Sequence, residues 1–333
     1  MKLLILGGTL FLGRHLVEAA LASGHTVTIF HRGKTNPGLF PGVTELLGDR
    51  TKDDDLAQLE GLHFDAVVDT CGYFPRIVGK SAQALQGKTS CYCFISTVSV
   101  YTNWPESSPD EESPLGTLDD PTTEELTGET YGPLKVLCEQ AAQVAFPEGA
   151  LIIRPGLIVG PHDPSDRFTY WPHRVAQGGE VLAPGSPELP IQWIDVRDLA
   201  EWTLRLLEAG RTGIYNADGP PMCLGQLLAT CVLASGAQPT ITYAEEAFLQ
   251  AQDVKPWLEL PLWILGLLGR ADGGATRTQR ANLAGLTYRT ALETVRDTLV
   301  WDAQRPQENA WKNTLTPEKE AAVLAAWKNR PAG

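Results

Sequence analysis

Along the first half of the chain, short apolar runs alternate with longer segments whose apolar positions recur at helical spacing. Lys2–Leu6 predicts a strand, Leu12–Ala22 a helix, and Thr26–Phe30 a second strand after the turn Ser23-Gly24-His25. Val43–Leu47 predicts a third strand, followed by a helix near Asp54–Leu59. Ala66-Val67-Val68 predicts a fourth, with a helix through about Ile77–Leu85, and Cys91–Ser96 a fifth. Runs that are apolar on both faces and separated by helices indicate a parallel sheet covered on both sides. A helix from about Glu129 to Ala145 and the strand Leu151–Ile153 extend the pattern, and a helix at Val196–Glu208 with a strand at Gly213–Asn216 returns to it. The segment Thr102–Gly128 is acidic, holding Glu106, Asp110, Glu111, Glu112, Asp119, Asp120, Glu124 and Glu125. It reads as a solvated loop, or as a flap over an active site. Leu260–Leu268 predicts a buried helix or an apolar pocket wall. Thr316-Pro317 predicts an N-cap with Pro at the first helical position and a terminal helix over Glu318–Asn329.

The fold class is therefore α/β, a Rossmann-type doubly wound parallel sheet with a smaller lobe toward the C-terminus. Residues 1–155, with about 190–220, would form the NAD(P)-binding body. About 156–189 and 221–301 would form the substrate lobe, and 302–333 a helical tail. The 333 residues leave room for a core in each. A formal charge of −13 disfavours nucleic-acid and anionic-membrane partners and leaves a small-molecule substrate as the expected one. Six cysteines include no C-x-x-C pair, and Cys91 and Cys93 share a strand face, which is poor geometry for a mutual disulfide. Thiols used as small apolar residues fit a reducing compartment. With Met1-Lys2 leading straight into the first strand, a cytoplasmic location is expected.

Two motifs carry the chemistry. Gly7-Gly8-Thr9-Leu10-Phe11-Leu12-Gly13 turns a strand into a helix, with glycines where the chain must bend, approach a phosphate and pack on the strand. Far downstream, Tyr131 and Lys135 stand at i and i+4, on one helix face. A phenol with an ordinary pKa of about 10 is a poor acid or base at neutral pH until a nearby cation stabilises the phenolate.

The first motif resembles the T-G-G-x-G-F-[IL]-G fingerprint of the extended short-chain dehydrogenase/reductase family, as found in its atypical members. Leu6 replaces the Thr, and Leu10 replaces the middle Gly. The resemblance continues in Ser96-Thr97-Val98-Ser99-Val100-Tyr101, which is similar to S-[ST]-x-x-V-Y-G, and runs to about Trp301. It implies Thr97, Tyr131 and Lys135 as the catalytic set, with Ser96 and Ser99 as neighbours of Thr97. The cofactor contacts it implies are Gly7, Gly8, Thr9, Phe11, Leu12, Gly13, Asp49, Thr70, Cys71, Gly72, Ser96, Lys135, Pro155 and Gly156. After the second strand, His31, Arg32 and Lys34 stand where an NAD-preferring site carries a carboxylate, so NADP is expected over NAD, with Arg14 adding to the same charge. Substrate contacts are expected from Thr97, Ser99, His162, Arg167, Tyr170 and Trp171, with His173 as a further pocket candidate and no metal site.

Family reactions divide on a few positions. Thr97 is followed by Val98-Ser99 rather than the Asp-Glu of the dehydratases, and Ile191 stands where UDP-sugar epimerases commonly carry an Arg. The expected activity is hydride transfer to or from a small or apolar carbonyl or alcohol. A nucleotide-sugar epimerase, or a non-catalytic NAD(P)-binding or RNA-associated protein, is the alternative. The resemblance also implies a homodimer.

Overall fold

Residues Lys2–Leu6 form β1, followed by α1 (Phe11–Ala22), β2 (Thr26–His31), β3 (Thr44–Leu47), α2 (Asp53–Leu56), β4 (Ala66–Asp69) and α3 (Pro75–Ala84). Next come β5 (Tyr92–Ile95), α4 (Gly128–Ala145), β6 (Ala150–Pro155), β7 (Ile158–Val159), α5 (Tyr170–Ala176) and β8 (Glu180–Pro184). The chain continues through β9 (Pro190–Ile191), β10 (Ile194–Asp195), α6 (Val196–Glu208), β11 (Gly213–Ala217), β12 (Met222–Cys223) and α7 (Leu224–Ser235). It ends with β13 (Thr240–Ala244), α8 (Glu246–Ala251), α9 (Gln279–Leu283), α10 (Ala291–Asp302) and α11 (Pro317–Lys328). This computed structural model describes residues 1–330 apart from 103, 105, 106, 271, 272, 307–310 and 313, so Glu106 lies outside the described residues.

Seven strands join in the order β11-β6-β5-β4-β1-β2-β3, and every pairing is parallel. The expected doubly wound sheet is present. Helices α1 and α6 cover one face, burying Leu16, Val17, Leu199 and Trp202. Helices α3 and α4 cover the other, burying Val78, Ala82, Cys138 and Ala142. Strand order reverses at β1, whose neighbours are β2 and β4, and this switch point opens a crevice at the C-terminal strand ends. A separate apolar core gathers Phe168, Trp171, Trp193, Leu227 and Trp263 between α5, α7 and the segments that follow. Among the described residues, no helix is long and apolar enough to cross a membrane.

Two expectations are corrected. Leu260–Leu268 is a series of turns, not a helix. Pro261 has no N–H to donate, and Leu262 (φ 67°) and Gly266 (φ 76°) sit in the left-handed region. Leu260, Leu262, Trp263 and Leu267 still bury their side chains, so the apolar content packs without the helix. The fifth strand, expected over Cys91–Ser96, spans Tyr92–Ile95, and the Thr97 hydroxyl then accepts from the Ser99 amide and caps a short 3₁₀ turn over Val98–Val100.

Beneath the switch point lies a buried ion pair. Asp69, fully buried at the end of β4, receives both terminal nitrogens of Arg50 (2.7 and 2.6 Å), the Tyr92 hydroxyl (2.8 Å) and the Cys71 amide (3.1 Å). Arg50 also donates to Ser81 on α3 at 2.8 Å. Burial alone would push the carboxyl upward, but Arg50 outweighs it and holds Asp69 below the usual carboxylate range. Asp69→Leu should therefore cost about 3–5 kcal/mol in urea denaturation by stranding the guanidinium, while Arg50→Met/Asp69→Leu should recover most of the loss.

Candidate functional site

The glycine turn sits at the switch point as its sequence demands. Gly7 (φ 106°) and Gly8 (φ 98°) take conformations that side chains rarely adopt; a Cβ on Gly7 would meet the Thr70 hydroxyl at 2.5 Å, and one on Gly8 would meet Ile29 at 2.7 Å. A Cβ on Gly13 would lie 2.8 Å from the Gly8 amide nitrogen, so only glycine lets α1 press onto the turn. Thr70 closes the crevice floor by donating to the Leu6 carbonyl at 2.8 Å. Thr9 is buried, its carbonyl accepting from Asn36 at 3.0 Å, and Leu12 turns its side chain into the core. Leu10, the departure from the glycine pattern, has an ordinary extended backbone (φ −134°) and gives α1 no side-chain cap. Its substitution leaves the turn unstrained and the first helical amides without a side-chain acceptor, an arrangement suited to an anion. Phe11 absorbs the strain at φ 38°.

At the end of β2, His31 is buried, and its Nδ1 accepts from the Gly33 amide at 3.2 Å. That bond assigns the proton to Nε2, which is buried without a hydrogen-bond partner. Glu45, from β3, stands 3.8 Å from it and accepts from the Gly38 amide at 3.1 Å. The sequence shows no carboxylate at this end of β2, yet the sheet brings one from the neighbouring strand. Arg32 and Lys34 are exposed, with no ion pair among the described residues, and Arg32 acts on Asp49. Asp49 accepts from the Thr51 amide and hydroxyl at 3.0 and 2.8 Å, a local turn that leads into α2. Arg14 turns away from this group, donating to Glu18 at 2.7 Å and lying 3.2 Å from the His162 Nδ1.

Helix α4 is seated against the Thr97 turn through Gly132, where any Cβ would collide with the Ser99 carbonyl. This approach sets Tyr131 beside Thr97. Burial pushes the Tyr131 phenol above its ordinary pKa, while Thr97 and the positive charge of Arg167 pull in the other direction. Lys135 is directed inward, donating to the carbonyls of Gly72 (2.8 Å) and Ile95 (2.6 Å), with its ammonium 4.1 Å from the centre of the Phe94 ring. Burial pulls its pKa down to about 8. Gly72 is itself forced, since a Cβ would meet Val78 at 2.5 Å and Phe94 at 2.6 Å. Cys71 lies beside Arg50 and the Leu6 carbonyl. Ser96 is not open to a ligand: its hydroxyl bonds Glu139 at 2.5 Å, and Glu139 is held by Arg154 at 2.9 and 2.7 Å in the interior. Pro155 ends β6, and Gly156 follows against the buried carboxyl of Asp218.

The expected substrate residues separate. Trp171 is fully buried, donating to the Pro261 carbonyl at 3.0 Å, and belongs to the lobe core. Tyr170 is also in that core, its phenol under the influence of Glu320 and Arg174. The apolar α5 face places both inside, since Phe168, Tyr170, Trp171 and Val175 pack together. His162 lies between Arg14, His15 and Trp301, and burial lowers its pKa to about 4. His173 is engaged by Asp302 at 2.6 Å and stacks near Trp311. Of that segment, Arg167 is the residue whose charge reaches Tyr131.

With this geometry described, similarity to known proteins becomes informative. The model of the NAD dependent epimerase/dehydratase family matches residues 3–84 and 78–217. The chain belongs to that family. As an epimerase/dehydratase family member, it is 29% identical over 257 residues to the chloroplast stem-loop binding protein of 41 kDa b of Arabidopsis thaliana, a match covering 72% of this chain and 64% of that protein's length. A putative epimerase from Burkholderia cenocepacia J2315 superposes with a TM-score of 0.68 at 19% identity, covering 91% of this chain and 98% of that one. The UDP-N-acetylglucosamine 4-epimerase from Bacillus cereus gives 0.69 at 16% identity, covering 93% and 99%. WbmH from Bordetella bronchiseptica, solved in complex with NAD+, gives 0.67 at 18%, covering 91% and 98%. At these identities the structures establish the shared fold.

Three residues had no place in the sequence-based site. Glu45 and Trp257 are isolated in the chain and reach Arg167 or His31 only through the fold. Asp218 follows β11, is 3% exposed and accepts from the Gly219 amide at 2.9 Å with no cation against it. Burial pushes it up to about 8. The folded state thus holds a proton that the unfolded chain gives up, so Asp218 erodes stability as pH rises from about 4 toward about 8. Asp218→Asn keeps the Gly219 bond and should flatten that decline, raising the melting midpoint at pH 8 more than at pH 5 in thermal scans.

Proposed function

We infer that this family member is an NAD(P)-dependent oxidoreductase that uses Tyr131 as its acid and base on a small carbonyl or alcohol. The observation that carries the reading is the half-buried Tyr131 phenol, set beside Thr97 by the Gly132 contact. The glycine turn fits a dinucleotide: a Cβ would fill the cradle at Gly7, Gly8 and Gly13, α1 begins without a side-chain cap, and the His31 Nε2 is a buried donor without an acceptor. Gly7, Gly8, Thr9 and the first amides of α1 would hold the pyrophosphate. When bound, the nicotinamide supplies or accepts a hydride. Tyr131 gives a proton to the carbonyl oxygen, or takes one from the alcohol, and Thr97 orients that oxygen. Lys135, fixed on the Gly72 and Ile95 carbonyls, carries its charge beneath the crevice.

Family membership supports a nucleotide-sugar epimerase as a second reading. Against it, Ile191 is 6% exposed and packed into the lobe core, so that position offers no cation to a pyrophosphate. The stem-loop binding of the Arabidopsis relative would ask this chain for a cationic surface, and a net charge of −13 favours a small-molecule ligand. For the cofactor we propose NADP, on the strength of the exposed Arg32 and Lys34; the Glu45 carboxylate is already taken up by the Gly38 amide.

Tyr131→Phe should lower kcat by about 10²–10⁴-fold while fluorescence titration gives unchanged NADPH affinity. Equal turnover in the variant would remove Tyr131 from the reaction, and failure to bind either nucleotide would end the whole reading. Arg32→Ala should weaken NADPH by about tenfold and leave NADH nearly unchanged in the same titration; equal effects on both would refute the NADP assignment.

A further inference from the structure

Arg167 has an environment unlike that of the other buried or half-buried arginines. Arg50 is held by Asp69, Arg154 by Glu139, Arg174 by Glu320, Arg197 by Asp195, and Arg305 by Asp166 and Asp302. Arg167 is half-buried, yet it forms no ion pair with any described residue, and its Nε is buried without an acceptor. A guanidinium so placed carries a desolvation cost that no ion pair among the described residues offsets.

Its surroundings hold it in place. The guanidinium carbon lies 5.4 Å from the centre of the Trp257 ring, within cation–π range. Trp257 takes a φ of 63°, a strained value for an aromatic residue, so the tryptophan is turned against its backbone preference to meet the arginine. On the other side, Asp166 (φ 61°) reverses the chain immediately before Arg167 and is tied down by Arg305 at 2.5 Å and the Lys312 amide at 3.0 Å. Asp163 feels the charge of Arg167 but forms no ion pair with it: its Oδ1 accepts from the Ser165 amide at 2.8 Å, and its Oδ2 is buried without a hydrogen-bond partner. The charge of Arg167 also acts on the Tyr131 phenol.

We propose that Arg167, braced by Trp257, is a specificity residue that takes a carboxylate of the substrate in a two-point bond to its guanidinium. The substrate is then an oxo acid or hydroxy acid, with the carboxylate a short distance from the carbon on which Tyr131 acts. A planar carboxylate matches the paired donors of one guanidinium edge better than a tetrahedral phosphate does, and a single stacked arginine supplies one charge, enough for a monoanion. This deepens the oxidoreductase reading and rests on it for the placement of the reacting carbon; the anion site itself rests on Arg167 alone.

The test uses the full chain in two measurements. Intrinsic tryptophan fluorescence is titrated with acetate, succinate and inorganic phosphate for wild type and Arg167→Gln, with thermal melting as a check on folding. One or both carboxylates should bind wild type with saturation, phosphate more weakly, and Arg167→Gln should bind them about tenfold or more weakly with an unchanged melting midpoint. No carboxylate binding, equal binding by the variant, or preference for phosphate overturns the proposal. Should Arg167→Gln fail to fold, Trp257→Leu carries the same expectation, since it removes the brace and leaves the charge.

The second measurement compares NADPH-dependent turnover of butanal and 4-oxobutanoate, aldehydes that differ by a carboxylate. Wild type should show the lower KM for 4-oxobutanoate, and Arg167→Gln should raise that KM about tenfold or more, a far larger rise than it causes for butanal. Turnover that depends on Tyr131 but ignores the carboxylate and Arg167 rejects the anion site and spares the oxidoreductase reading. Carboxylate binding that depends on Arg167, with no turnover of either aldehyde, does the reverse.

Discussion

The arrangement turns on a buried ammonium. Lys135 reaches from α4 to the carbonyls of Gly72 and Ile95, which follow β4 and end β5, and so ties one helix to two neighbouring strand ends. Removing a charged group from water is costly, and two carbonyls with an aromatic face recover part of that cost only if the helix sits at one height and angle. Gly132 allows that height by letting the helix backbone approach the Ser99 carbonyl. Tyr131, adjacent to Gly132 and one turn before Lys135, is thereby set beside Thr97.

The crevice below is built from a second set of constraints. The glycine turn, Thr70 and Gly72 bring three successive strand ends close together, and the Arg50–Asp69 pair supports them from the interior. A parallel sheet offers few polar partners inside, so the pair is fully enclosed by Tyr92, Ser81 and the Cys71 amide. On the opposite flank, Glu139, Arg154, Tyr101 and Asn216 form a comparable chain of bonds from α4 through β6 to β11.

Local pattern made the sheet legible, because apolar runs, helical spacing and glycine turns are written in consecutive residues. The terminal helix was equally plain, its Thr316 cap accepting from the Lys319 amide as Thr-Pro at that spacing requires. What depended on distant partners was not legible. An aromatic-rich segment looks the same whether its rings face a ligand or a core, and Trp171 and Tyr170 proved to face the core. Ser96 stands beside Thr97 in sequence, but its hydroxyl points to Glu139 in the interior. Likewise, no spacing rule links His31 to Glu45, which meet only because β2 and β3 are paired. The Leu260–Leu268 run shows the limit of hydrophobicity itself, since one proline and two left-handed residues decide the backbone while the apolar side chains bury all the same.

The turn at Asp166 has a consequence for how this protein can change over time. Its carboxylate accepts from Arg305 and the Lys312 amide, far along the chain, while the next residue, Arg167, meets Trp257. The C-terminal segment therefore acts as a backing plate for a loop it does not share a sequence neighbourhood with. Drift in those last residues would alter the angle of Arg167 without touching the crevice, and drift in the loop would loosen the end of the chain. The two must evolve together, and a graft of one onto a relative would carry little unless the other travelled with it.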